Sequence, residues 1–105
     1  MTLLTLTFRH VARSAALEAR VRESVQRLER VNDRIAQCHL TVEGPEKPSD
    51  AAGRYAVKIE LSVPGARIHA DNLRQDDQQQ RDVFSAVRDA FDDAKRQLQS
   101  LRWDH

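Results

Sequence analysis

The chain has 105 residues, of which 17 are Lys or Arg and 16 Asp or Glu, for a net charge of +1. That length fits one domain, residues 1–105, with a single modest core. Charged residues of both signs make up 31% and argue against disorder, the lone Cys38 excludes an internal disulfide and fits a reducing compartment, and no apolar run approaches the roughly 18 residues that span a bilayer.

The stretch from Met1 to Leu6 lacks the basic start and long apolar centre of a signal peptide, so a cytoplasmic location is expected. Leu4, Leu6 and Phe8 alternate with Thr5 and Thr7, the period-two pattern of a strand with one buried face. Ser14 is placed to cap a helix over Ala15 to Ile35, whose Leu17, Val21, Val25, Leu28, Val31 and Ile35 keep helical spacing. Cys38, Leu40 and Val42 form the inward face of a second strand. Gly44 to Gly53, with Pro45 and Pro48, reads as a loop. Tyr55, Val57, Ile59, Leu61 and Val63 define a third strand, Pro64-Gly65 a hairpin turn, and Ala66, Ile68 and Ala70 a fourth. Asp71 to Gln80 is polar and acidic, a loop by composition. A last helix over Gln80 to Leu101 turns Phe84, Val87, Phe91, Leu98 and Leu101 inward.

The order β-α-β-β-β-α, with one apolar face per strand and one apolar stripe per helix, predicts an α+β fold. Two helices pack on one face of a four-stranded sheet. The other face carries Thr5, Thr7, His39, Thr41, Lys58, Glu60, Arg67 and His69 and is open to solvent.

The charge is ordered around both helices. At 100° per residue, Arg20, Arg27, Arg34 and Arg30 lie on one flank of the first apolar stripe, interrupted by Glu23. Glu18, Glu29 and Asp33 lie on the other flank with Arg22. In the last helix Arg81, Arg88, Lys95 and Arg102 share a flank, at seven-residue spacing and with Asp92 nearby. Asp82, Asp89 and Asp93 share the opposite one with Arg96. The two polarities have opposite sense, so in parallel helices both basic stripes line the intervening groove or both face outward. Mixed helix charge is often mere solvation, with slight help from Glu–Arg pairs. Segregation in both helices at once favours a surface for a polyanion, phosphate above all, which the planar fork of arginine fits.

Other chemistry finds little support. His10, His39, His69 and His105 lack metal-ligand spacing, although His39 and His69 could meet across the open sheet; no metal and no cofactor are expected. There is no glycine-rich phosphate loop, Ser14, Ser24 and Ser85 have no His and Asp partners by pattern, and Cys38 reads as an inert core thiol. Asp76-Asp77 and Asp92-Asp93 read as solvated acidity, and Trp103 as a cap over the core. The chain is not expected to be an enzyme.

Several segments, in order, resemble the ribosome hibernation promoting factor family, also called ribosome-associated inhibitor A or sigma-54 modulation proteins. They are Ala16-Leu17, Leu28-Glu29, Asp33-Arg34-Ile35, Cys38 to Pro45, Tyr55 to Gly65, Asp82 to Asp92 and Arg96-Gln97-Leu98. The resemblance implies a fold akin to double-stranded-RNA-binding domains. It also implies binding to the small ribosomal subunit in the channel used by messenger and transfer RNA, with translation blocked in stationary phase or stress. Arg27, Arg34, Arg96 and Arg102 match basic positions of the family. Asp93 and Ser100 stand where many relatives have lysine, which implies a weaker surface. The chain resembles the short form, without the C-terminal module that pairs ribosomes.

The expected function is therefore ribosomal-RNA binding through Arg20, Arg27, Arg30, Arg34, Arg81, Arg88, Lys95, Arg96 and Arg102, inhibiting translation by occlusion. The expected partner is the small subunit, with no DNA, no membrane, and a monomer off the ribosome. The rival reading is a protein-interaction regulator, for example of a transcription component, working through the open sheet or Trp103.

Overall fold

A computed structural model describes residues 2–45, 55–73 and 82–101. The elements are β1 (Leu3–Arg9), α1 (Ala15–Val31), β2 (Gln37–Glu43), β3 (Ala56–Val63), β4 (Ala66–Asp71) and α2 (Val83–Ser100). The fold is the expected α+β arrangement. The sheet runs β1-β2-β3-β4, with β1 parallel to β2 and the other neighbours antiparallel. Because β1 and β2 are parallel, α1 must return against them. Two reversals make β4 run with β2, and α2 then returns as α1 did, so the helices run the same way.

Alternation in the strands delivers the core. Cys38, Leu40, Val42, Val57, Ile59, Leu61, Val63, Ile68 and Ala70 are buried against Leu17, Val21, Val25 and Leu28 of α1 and Val87, Phe91, Ala94 and Leu98 of α2. Fully burying such an aliphatic side chain contributes about 1.5–3 kcal/mol each. Leu4, Leu6 and Phe8 of β1 face the same way but are only half-buried. Their exposure reflects their place at the rim of the sheet.

The helix ends depart from the periodicity in two places. Ser14 caps α1 as expected, its Oγ accepting from the Leu17 N–H at 3.1 Å. The helix stops at Val31, not Ile35. Asn32 is extended at φ −150°, and its Oδ1 accepts the Arg34 N–H at 2.8 Å, closing a turn that carries the chain toward β2. Ile35 is buried from this connecting segment, so its helical spacing was coincidental. Asp82 caps α2, its Oδ1 accepting from the Phe84 N–H, so the helix begins at Val83 and not at Gln80.

Two positions close the loops. Gly65 takes φ +78° after Pro64, which is what a two-residue turn between Val63 and Ala66 needs. Gly44 donates its N–H to the Arg9 carbonyl at 2.8 Å, and a Cβ there would collide with the backbone carbonyl of His10, itself at φ +56°.

The expected loop after β4 begins with a buried anchor. Asn72 is fully buried; its Oδ1 accepts the Val57 N–H and its Nδ2 donates to the Tyr55 carbonyl, both at 2.9 Å. These bonds tie the exit of β4 to the start of β3. The rest of the expected loop, from Arg74 through Asp76-Asp77 to Gln80, lies outside the described residues.

Gly44→Ala is expected to cost about 1–3 kcal/mol, because the obstructing atom is backbone and cannot rotate away. Asn72→Ala is expected to cost at least about 1–3 kcal/mol by orphaning the buried Val57 N–H. Urea midpoints of both variants check this, and values within experimental error of the parent chain would refute these roles.

Candidate nucleic-acid interface

The parallel helices turn their basic flanks toward each other. Between them lies an open groove of about 690 Å³ whose lining includes Arg20, Arg27 and Arg30 from α1 and Arg88 and Lys95 from α2. Of the two arrangements open to parallel helices, the structure adopts the one with the stripes facing inward. Glu23 and Asp92 also line the groove, and Ser24, Leu28, Val31 and Phe91 contribute to its walls and floor. Five cations against two carboxylates leave a local charge of +3 in a chain whose total is +1.

Three of these cations have a ring or carboxylate neighbour within the protein. Arg20 lies over the Phe84 ring, 5.5 Å from its centroid, joining the second turn of α1 to the first turn of α2. Arg27 approaches Glu23 at 3.7 Å, and Arg88 approaches Asp89 at 3.6 Å. Both arginine side chains remain more than half exposed, so these pairs contribute little stability. Serine chemistry is absorbed by structure: the Ser24 hydroxyl donates to the Arg20 carbonyl and the Ser85 hydroxyl to Asp82 Oδ2.

Two nominated residues stand apart from this groove. Arg34 sits in the turn beyond α1, because Asn32 ends the helix before the row reaches it. Arg96 lies 3.5 Å from Asp93 and does not line the groove. Arg81 and Arg102 lie outside the described residues.

Asp93, read from sequence as solvated together with Asp92, is buried, whereas Asp92 is exposed as expected. Asp89 is 5% exposed and Asp93 8%. Asp93 Oδ2 accepts from the Asp71 N–H at 3.2 Å and from Gln97 Nε2 at 3.2 Å, while Gln97 Nε2 also donates to the His69 carbonyl at 2.8 Å. Asp93 and Gln97 are thus pressed onto the β4 edge, and Asp93 does not line the groove. Periodicity alone missed it, because an aspartate on the border of an apolar stripe reads as exposed until its edge-strand partner is known.

These features define a class: a β-α-β-β-β-α domain with a cationic groove between parallel helices on one face of a mixed sheet. Residues 4–102 match the family of the sigma 54 modulation protein / S30EA ribosomal protein, and the chain belongs to that family, whose members are ribosome-associated and not enzymes. The fold is similar to the structure of a ribosomal subunit interface protein from Coxiella burnetii, with 20% identity over 93% of each chain and a TM-score of 0.72. It is likewise similar to the Thermus thermophilus Protein Y N-terminal domain, at 18% identity over 97% of this chain and 100% of that one, with a TM-score of 0.69. No curated protein matches the sequence.

The remaining chemical candidates resolve simply. His39 and His69 do not face each other: Glu60 of β3 stands directly between them in the cross-strand row, and it pairs with Arg67 at 3.3 Å. Among the described residues no cluster of three His, Cys, Asp or Glu could hold a metal ion. His105 and Trp103 lie outside the described residues. No helix among the described residues is long and apolar enough to cross a membrane.

Cys38 is 1% exposed, and burial pushes its thiol up from 9.0 to about 12. Native protein at pH 8 is expected to react with a disulfide reagent only at its opening rate, measured against the same protein in denaturant. Because the folded thiol keeps its proton longer than the unfolded one, its contribution is intact below pH 9.0 and is lost as pH rises toward about 12. Stability should therefore fall through that window less steeply in Cys38→Ala.

Proposed function

We propose that this protein silences ribosomes by seating its interhelical groove on folded RNA of the small subunit, blocking the channel for messenger and transfer RNA in stationary phase or stress. The observation that carries this reading is the convergence of Arg20, Arg27, Arg30, Arg88 and Lys95 on one concave surface. Membership of a ribosome-associated family supports the choice of partner.

The mechanism is occlusion. Phosphates of two neighbouring RNA segments would settle against the two rims, with arginine forks donating paired hydrogen bonds and Lys95 acting as a point charge. Such contacts position the protein but do not read bases. Specificity then follows from the spacing of phosphates in the folded RNA, matched to the spacing of the rims. Glu23 and Asp92 inside the groove lower its affinity for uniform polyanions, which favours a surface that presents phosphate at the rims and not at the centre.

Sedimenting small subunits with the protein across a salt series tests this. Binding is expected to fall steeply, with a log–log slope of roughly −4 for about five neutralised phosphates. Lys95→Ala should reduce the slope by about 1, and Arg88→Glu with Lys95→Glu should abolish pelleting while circular dichroism stays unchanged. Arg96→Ala should pellet like the parent chain. Pelleting that ignores salt and survives the double reversal would overturn the groove as the binding surface and favour protein recognition through the open sheet.

A further inference from the structure

The two edges of the sheet are treated differently. In β4, the turn at Pro64-Gly65 sets the alternation that aims the His69 carbonyl and the Asp71 N–H away from β3. Both groups are satisfied by α2, through Gln97 and Asp93. The C-terminal half of that edge is therefore occupied by α2.

The β1 edge is open. The Leu3 N–H donates to the Ala36 carbonyl, and the Arg9 carbonyl accepts from the Gly44 N–H, so odd-numbered residues of β1 face β2. Alternation then aims the backbone N–H and carbonyl groups of Leu4, Leu6 and Phe8 outward. Among the described residues nothing hydrogen-bonds them. Leu3–Arg9 contains no proline, no lysine and no charge before its last residue, the devices that usually protect an edge. Leu3 is 63% exposed, and Leu4, Leu6 and Phe8 are only half-buried.

We infer that β1 pairs antiparallel with β1 of a second copy of this chain, about a two-fold axis at Leu6. The strand is complementary to itself in this register. Hydrogen-bonded pairs in an antiparallel ladder must be outward-facing on both strands, and Leu6 with Leu6, Leu4 with Phe8 and Phe8 with Leu4 all satisfy that condition, giving about six ladder bonds. The same pairs bring together the half-buried apolar side chains of the inner face. On the outer face Thr5 meets Thr7 and Leu3 meets Arg9, with no like charges opposed. The axis stands perpendicular to the sheet, so both pairs of helices stay on one side and both grooves remain open. Two edge strands bury less than the roughly 1,200 Å² of a standard interface, so this is a weak dimer that forms at high protein concentration. It stands against the monomer that the sequence led us to expect.

Mixing Thr5→Cys chains with Thr7→Cys chains tests the register. In the proposed dimer these positions are directly opposed, about 4.5 Å apart at Cα, within reach of a disulfide. Either variant alone holds its like cysteines on a diagonal about 7–8 Å apart. Under mild oxidation the mixture is expected to cross-link at least about tenfold faster than either variant alone, with the buried Cys38 silent. Equal rates, or none, would overturn the register. In parallel, sedimentation of the parent chain should show a dimer that grows with concentration and is lost in Leu6→Lys, a variant that should still pellet with ribosomes. A parent chain that stays monomeric at every concentration overturns self-pairing and leaves the edge to a strand from a different protein. The cross-linking result stands alone if Leu6→Lys does not fold.

Discussion

The parallel pairing of β1 with β2 organises this molecule. Parallel neighbours cannot be joined by a tight turn, so the chain between them must cross the sheet, and it does so as α1. Two antiparallel reversals later, α2 crosses the same face in the same direction. Helices that run the same way bring flanks of opposite angular sense together. Had β1 been antiparallel to β2, α1 would have run the other way, and the same arginines would have pointed away from those of α2. The groove is a consequence of that one pairing.

Each flank of α2 has its own task. The basic flank, through Arg88 and Lys95, lines the groove with α1. The acidic flank, with Asp93 and Gln97, supplies the hydrogen bonds that the outermost strand lacks. A carboxylate suits that position because an edge strand presents N–H groups that need acceptors. Burying it there is tolerable because the backbone and Gln97 satisfy Asp93, although Asp89 Oδ2 has no partner among the described residues. The charge segregation visible in the helix thus reflects a structural demand on one side and a binding surface on the other. Asn72 serves a related end, binding the first turn of backbone beyond β4 to β3.

The strands were legible because their alternation is strict and each has a single buried face; β1 to β4 emerged at the expected residues. The Ser14 cap and the Pro64-Gly65 turn were legible because each depends on local chemistry alone. Helix ends were less so. Ile35 kept helical spacing while belonging to the connection into β2, and only the Asn32 turn reveals this, which removes Arg34 from the basic row. Arg96 matched a family position yet turns to Asp93. Of the nine nominated cations, Arg20, Arg27, Arg30, Arg88 and Lys95 share one surface.

From sequence alone come the α+β class, the element order, the inward residues, and the polarisation of charge across each helix, because all depend on neighbours within a few residues. Tertiary structure decided whether the two basic flanks face each other, which carboxylates are buried, and which sheet edge is left open. Those properties depend on strand direction and on which backbone groups remain unpaired at the rim, and no local pattern in the chain encodes either.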